Sequence, residues 1–510
     1  MSLAKIYTRA LQGVSAPLVT IEVNLAKGLP AFTIVGMPET SVREARDRVK
    51  TALINAGFTF PAATKITVNM APADLPKQGA RYDLAIAVGI LVASDQLPEA
   101  TVAQREFYGE LTLTGDLRGV TGILPALLAC REAQREAVIP QTDAAQASVL
   151  REQQCVAATS LAAVYEHLLE HSLLPQVQAV CDDPALSEVS ALDIADVIGQ
   201  AQAKRALLLA AAGGHHLLFV GPPGTGKTML AQRLLGILPP LTETEALEVA
   251  ALRSVSGTLF SPATWRERML RSPHHSCSAA ALVGGGSPPR PGEISLAHHN
   301  LLFLDELPEF SRHVLDCLRE PLEAGAVTIS RATQQTTFPA QFQLICALNP
   351  SPCGQFDGDL SSARATPDQI LKYLNKLSGP LLDRIDMQVS VPRQPEAMQQ
   401  QLALAEPVSP GWRQEVIAAR AVQQARQGCV NAKISTRELA TICQLAPADH
   451  QFLVSAIEKF ELSHRAYHRL LRLARTIADL ANSEGITRSH LAEALSYRAL
   501  DRLIQQLRAL

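Results

Sequence analysis

The sequence has no Cys-x-x-Cys pair. Its nine cysteines are scattered over 510 residues, which excludes a disulfide framework and a zinc ribbon and makes reduced thiols in a cytoplasmic protein the expectation. It also has no long hydrophobic run. The longest stretch, Ala206 to Val220, is broken by Gly213-Gly214-His215-His216 and is too short and too polar to span a bilayer. Met1 to Pro17 alternates polar and apolar residues without the apolar segment of a signal peptide, so no membrane role is expected. An excess of one charge is missing as well. The net charge is -3, and no global basic field advertises nucleic acid, although a ring could line a channel with local positive charge that a chain-wide sum conceals. What is there is a chain 47% hydrophobic and 19% charged, too long for one core, with roughly two to four domains expected.

The chain is organised around Leu217-Leu218-Phe219-Val220 followed by Gly221-Pro222-Pro223-Gly224-Thr225-Gly226-Lys227-Thr228. An apolar strand, a G-x-x-x-x-G-K-T loop and the helix-forming run Met229 to Leu235 stand in order. The glycines let the backbone curl so that its N–H groups face phosphate oxygens, and the helix adds the positive end of its dipole. Lys227 can reach the β- and γ-phosphates of ATP, and the Thr228 hydroxyl can ligate Mg²⁺. About eighty residues on, Leu301-Leu302-Phe303-Leu304-Asp305-Glu306 reads as a buried parallel strand ending in two carboxylates. Asp305 is suited to hold Mg²⁺, and Glu306 to orient and deprotonate the attacking water. A third apolar strand, Phe342 to Leu348, ends in Asn349.

Ahead of this core, residues 1–170 alternate strands and helices in an α+β layout. Leu18–Leu25, Ala31–Gly36 and Lys65–Met70 read as strands, with a further pair within Phe107–Leu117. Helices are expected over Ser41–Ala56, Asp83–Ser94 and Leu124–Arg135. Residues 171–190 have the mixed polar and proline character of a linker. Residues 191–395 form the phosphate-loop α/β core, and 396–510 are expected to be helical throughout, with a capping pattern at Ser435-Thr436-Arg437-Glu438.

The N-terminal region resembles the proteolytic domain of Lon-type proteases, with its ribosomal-S5-like fold. The resemblance rests on Gly79-Ala80-Arg81-Tyr82-Asp83-Leu84-Ala85, on Gly109 to Gly115 and on Gly122-Ile123-Leu124. Where that family carries a serine nucleophile and a lysine base, this chain has Arg81 and Leu124, and no serine lies between Lys77 and Val92. Arginine is no nucleophile and leucine accepts no proton, so the domain is expected to be non-proteolytic.

The remaining motifs resemble AAA+ ATPases. Asp193 to Gln200 is similar to their entry segment. By that resemblance Asn349 stands as sensor 1, Arg384 in Leu381-Leu382-Asp383-Arg384-Ile385-Asp386 as the arginine acting in trans on a neighbour's ATP, and Arg465 in the sensor-2 place of a helical lid. Arg469, Arg472 and Arg475 are expected as a solvated or DNA-facing stripe. Arg271 to Ser276 and Gly284 to His298 resemble the insert of magnesium-chelatase-type AAA+ proteins and, with the domain order, the ComM/YifB family. The resemblance implies a homo-hexameric ring, ATP and Mg²⁺ as cofactors, and a branch-migration helicase on single-stranded and branched DNA that supports recombination in natural transformation, with recombination proteins as further partners. A chelatase-like metal-insertion motor and a protein-remodelling ATPase stand as alternatives. Arg290, between two prolines in the insert, is the candidate DNA contact, with pairing to Glu293 as the structural alternative. Where family members often carry four cysteines after sensor 1, only Cys353 stands here, too few for a zinc site. The pairs His274-His275 and His298-His299 are not expected to ligate metal, because adjacent side chains on an extended chain point to opposite faces.

Overall fold

The computed structural model describes residues 2–180, 192–258, 260–330, 335–351, 365–394, 407–460 and 462–508. The architecture is multidomain α/β, built on two large sheets. The first begins with β1 (Ser2–Arg9), β2 (Leu18–Ala26), β3 (Ala31–Val35), β4 (Lys65–Ala71) and β5 (Arg105–Phe107). A separate hairpin of β6 (Glu110–Leu111) and β7 (Leu117–Arg118) intervenes before β8 (Glu136–Pro140) and β9 (Cys155–Ala158). The sheet order is β3-β4-β2-β1-β5-β8-β9. Along β2 the residues Val19, Ile21 and Val23 are buried in alternation, the period of a sheet with one face on a core. The expected Ser41–Ala56 helix is interrupted at Glu44, and its main part is α1 (Ala45–Asn55). In α2 (Asp83–Ala93) every residue is buried. Gly89 lets that helix lie close on the sheet, because a Cβ there would come within 2.6 Å of the Val23 side chain. The third helix, α3 (Ile123–Glu132), turns outward to the rest of the molecule.

Of the expected linker, Val177 N–H donates to the Cys155 carbonyl of β9 at 2.8 Å, and residues 181–190 lie outside the described residues.

The second sheet is wholly parallel. Its strands are β10 (Leu217–Val220), β11 (Leu270–Arg271), β14 (Leu301–Leu304), β17 (Gln343–Leu348) and β18 (Met387–Ser390). Between them stand two hairpins, β12 (Gly284–Gly285) with β13 (Arg290–Pro291) and β15 (Ala326–Ser330) with β16 (Gln335–Pro339). The order β11-β14-β17-β10-β18 is what near-continuous apolar runs such as Leu301–Leu304 produce, since a parallel sheet is covered on both faces. The longer helices of this half, those of nine residues or more, are α4 (Ala201–Gly213), α5 (Lys227–Ile237), α6 (Glu243–Ser256), α7 (Ser409–Gln427), α8 (Pro447–Lys459), α9 (His464–Leu480), α10 (Arg488–Ser496) and α11 (Ala499–Arg508). Residues 407–508 are helical apart from short connections, as expected, and 396–406 lie outside the described residues.

These helices do not form a core of their own. Val416 of α7 and Leu470 and Leu473 of α9 share one buried cluster with Leu207 of α4 and with Leu217 and Phe219 of β10. On the other face, Leu500, Leu503 and Leu507 of α11 pack with Leu381 and Ile385. The N-terminal sheet is joined to the second through α3. Ile123, Leu124 and Leu127 share a cluster with Ala246 and Val249 of α6 and with Trp265. The Gly122 N–H donates to the Ser254 carbonyl at 2.9 Å. Fully burying one such leucine contributes about 2 kcal/mol.

Candidate functional site

Parallel pairing aligns the carboxyl ends of three strands. Val220 lies opposite Leu348, and Leu304 opposite Cys346. The residues that follow, Gly221, Asp305 and Asn349, are therefore set side by side at one edge of the sheet, the edge at which open α/β sheets bind ligands. The loop from Gly221 through Pro222 and Pro223 to Thr225 turns through Gly224 and Gly226, both in the left-handed region at φ +78° and +85°, and the space where their Cβ atoms would lie is open. At Gly221 the constraint is contact, since a Cβ would come within 2.2 Å of the Val391 carbonyl oxygen.

Lys227, at the first turn of α5, is buried. Its Nζ donates to the carbonyls of Gly221 and Pro222, each at 2.7 Å, and to Asn349 Oδ1 at 3.0 Å. Burial pulls this ammonium down to about 8, against the attraction of Asp305 and Glu306. Next to it, Thr228 Oγ1 donates to Asp305 Oδ2 at 2.7 Å. A hydroxyl and a carboxylate oxygen this close are a hard-oxygen pair suited to Mg²⁺. Glu306 stands one residue on in the left-handed region at φ +52°. Its N–H donates to Asp305 Oδ1 at 2.9 Å, and its half-exposed carboxylate lies 3.5 Å from His275 Nδ1. Phosphate loop, acidic pair and Asn349, separated by up to 128 positions in the chain, thus form one group.

Arg384 and Arg465 are not in that group. Arg384 lies just before β18, whose first residue Met387 pairs with Leu217 at the start of β10. It sits at the opposite end of the sheet, beyond the length of a four-residue strand, about 13 Å. Its guanidinium is buried, pairs with Glu323 and donates to the Pro380 carbonyl, while Nε has no hydrogen-bond partner among the described residues. Arg465 is exposed and reaches the same Glu323 carboxylate at 4.0 Å. Both line a cleft of about 640 Å³ that also contains Lys433, His468 and Arg469. Glu323, the shared acceptor, has no signature in the sequence.

Several expectations need correction. Arg469, Arg472 and Arg475 are not a solvated stripe. Arg469 pairs with buried Asp386 at 3.0 Å, Arg472 donates to the Ile434 carbonyl at 2.9 Å, and Arg475 is buried against Asp479 at 3.0 Å. Burial opposes the Asp386 charge, but Arg469, His215 and His216 outweigh it and hold that carboxyl well below the usual range. Nor do His298 and His299 point to opposite faces. Positive φ at His299 swings the second ring round, and both Nε2 atoms meet Glu248 Oε2, at 2.9 and 2.8 Å. This trio has the spacing of a metal cluster. However, His298 Nδ1 accepts the Gln341 N–H at 3.0 Å, which leaves its proton on Nε2 and turned to Glu248, the arrangement of a hydrogen bond and not of a ligand. His274 and His275 stack with ring centres 4.1 Å apart.

Glu293 pairs with Arg271 at 2.6 Å and not with Arg290. Arg290 is exposed on the β12–β13 hairpin, at a cleft of about 420 Å³ that faces Gly79, Arg81 and Thr121 of the N-terminal part. Arg81 itself is buried, donating to the carbonyls of Arg9, Thr121 and Gly122, and Leu124 is fully buried against α6. Neither has the freedom or the chemistry of a peptidase group. Cys353 lies outside the described residues.

Comparison with known proteins gives the same ancestry for the whole chain. The family model described as magnesium chelatase, subunit ChlI, matches residues 193–399. A second, subunit ChlI of Mg-chelatase, matches 21–143, and a third, the ChlI C-terminal part, matches 407–498. Competence protein ComM of Haemophilus influenzae is 51% identical over 509 residues, covering 99% of both chains. Protein YifB of Salmonella typhimurium is 49% identical over 515 residues and that of Escherichia coli 48% over 510, each covering 100% of both chains. With a phosphate loop and acidic pair on a parallel sheet and relatives matched end to end, the chain belongs to the ComM/YifB family of magnesium-chelatase-like AAA+ ATPases.

Proposed function

We propose that this chain hydrolyses ATP with Mg²⁺ as one subunit of a homo-hexameric ring, each site being completed by a neighbour. The observation that carries the reading is the split of the candidate residues between two ends of one sheet. Gly221 to Thr228 would hold the phosphates by backbone N–H groups, with Lys227 turning from the Gly221 and Pro222 carbonyls to the β- and γ-phosphates. Thr228 and Asp305 would hold Mg²⁺, which when bound supplies charge neutralisation at the phosphoryl oxygens. Glu306 takes the proton of the attacking water, and Asn349, hydrogen-bonded to Lys227, keeps water and lysine in register. Arg384 and Arg465 cannot reach their own phosphate loop from the far end of the sheet. They would meet the ATP of the next subunit, Arg384 after its guanidinium turns from Glu323 to the phosphoryl oxygens. The units in this reading are 1–170, 191–395 and 396–510, the last packed on the core it follows, with 171–190 as linker.

What the motor acts on has two readings. All three matching family models carry the name of a chelatase subunit, and this supports a chelatase-like or protein-remodelling motor more directly than a DNA motor. The branch-migration reading is supported by the relative named as a competence protein and by exposed Arg290, which Glu293 does not neutralise. ATPase rates with branched DNA and with an unfolded protein separate the two. Stimulation by DNA supports the helicase reading, and stimulation by protein alone supports the chelatase-like one. In the DNA reading, Arg290→Ala lowers the salt dependence of DNA affinity by about one phosphate contact and leaves basal hydrolysis intact. An unchanged salt slope removes Arg290 from that role.

A further inference from the structure

The loop that follows β11 has no assigned task, yet it touches the hydrolytic end of the sheet. β11 pairs in parallel with β14, Arg271 opposite Leu302, so the chain leaving β11 runs beside the chain leaving β14 toward Asp305 and Glu306. There His275 Nδ1 comes to 3.5 Å from Glu306 Oε2. The distance is that of an ion pair slightly too long for a good hydrogen bond, as hydrogen bonds of catalytic groups commonly are before substrate arrives.

The imidazole is held from several sides. Its ring lies on His274 at 4.1 Å and edge-on to buried Phe310 at 6.4 Å. His274 is in turn fixed by Ser276, whose Oγ is 2.8 Å from His274 Nδ1. At the base of the loop Arg271 makes a two-pronged ion pair with Glu293, at 2.8 and 2.6 Å. Glu293 begins the short helix that follows β13. The hairpin of β12 and β13 ends in Pro288, Pro289 and Arg290 at the cleft facing the N-terminal part. The hairpin is thus linked to Glu306 by the short chain to Glu293, the Glu293–Arg271 ion pair, the short chain from Arg271 to the histidine pair, and the approach of His275 to Glu306.

We propose that His275 is a positioning residue for Glu306. It sets the carboxylate that receives the water proton, and because it rides on the chelatase-type insert, it makes hydrolysis respond to whatever moves that insert. The inference rests on Glu306 being the base. An exposed pair of this kind contributes little to stability, so its worth has to appear in turnover.

Two substitutions in the full-length chain separate positioning from packing. His275→Phe keeps a ring against His274 and Phe310 but loses Nδ1. His275→Asn keeps a donor near that place but loses the ring. Positioning predicts that Phe lowers kcat about tenfold, the factor one hydrogen bond to a charged group carries, with KM for ATP unchanged and with Asn restoring most of the rate. A purely structural role predicts the reverse order, and normal kcat in the Phe variant also overturns the proposal. Glu306→Gln and the double variant close the test. If His275 acts through Glu306, adding His275→Phe to Glu306→Gln costs no further rate, and a further loss contradicts it. Full activity of Glu306→Gln sinks the base assignment itself. A slow Glu306→Gln beside an unaffected His275→Phe sinks only the present inference.

Discussion

Lys227 and Glu306 carry opposite charges and different tasks, and their removal should separate binding from turnover. Lys227→Ala should weaken ATP binding. Glu306→Gln should bind ATP normally and turn over about a hundredfold more slowly, within the range of a lost general base. Equilibrium binding of a fluorescent nucleotide and steady-state rates check both. Lys227 also gives a pH signature. Its ammonium is depressed to about 8 by burial, and bound phosphates favour the charged form. ATP binding should therefore take up a proton above pH 8, and affinity should fall as pH rises through that value. Calorimetry in buffers of different ionisation enthalpy measures the uptake directly. Lys227→Arg, charged throughout this range, should abolish it. At this scale the sequence was readable wherever the chemistry sits in consecutive letters, as in Gly221–Thr228 and Asp305-Glu306. It was unreadable where one backbone angle decides, as at His299, whose positive φ turns two histidines onto one carboxylate.

Among elements, the strands and the main helices followed from apolar runs and periodicity, because burial on two faces or one leaves that pattern in the letters. What α9 does with its polar face did not follow. Arg469 and Arg472 find partners 83 and 38 positions away, and no local pattern records a partner at that distance. These partners make α9 the seam between helices and sheet. Removing one member of a buried pair leaves the other charge uncompensated, which costs about 3–5 kcal/mol. Arg469→Ala should destabilise the fold by that order. Arg465→Ala, on the same helix but exposed, should change stability by less than about 1 kcal/mol while slowing hydrolysis. Denaturant unfolding and ATPase assays on the two variants provide the comparison. Equal destabilisation would contradict this division of α9.

In the whole molecule, the N-terminal part and the ATPase core meet through α3 and α6. Leu124, which the resemblance to Lon-type proteases puts in the place of their base, is buried in that interface. That face docks on α6, and incubation with casein and ATP should release no peptide. The sequence carries a leucine there. It could not show where that leucine packs, because a leucine in a core and a leucine in an interface read alike. The central claim concerns the same scale. In the proposed reading each ATP site lies at one end of a sheet whose far end carries Arg384 and Arg465, and hydrolysis is shared between subunits. The most direct measurement mixes Arg384→Ala chains with Lys227→Ala chains, each inactive alone, and follows ATP hydrolysis while mixed rings are verified by differential tagging. Activity above that of either variant is predicted, because some interfaces then join an intact phosphate loop to an intact arginine. No activity above the separate variants, in rings shown to be mixed, would contradict the account.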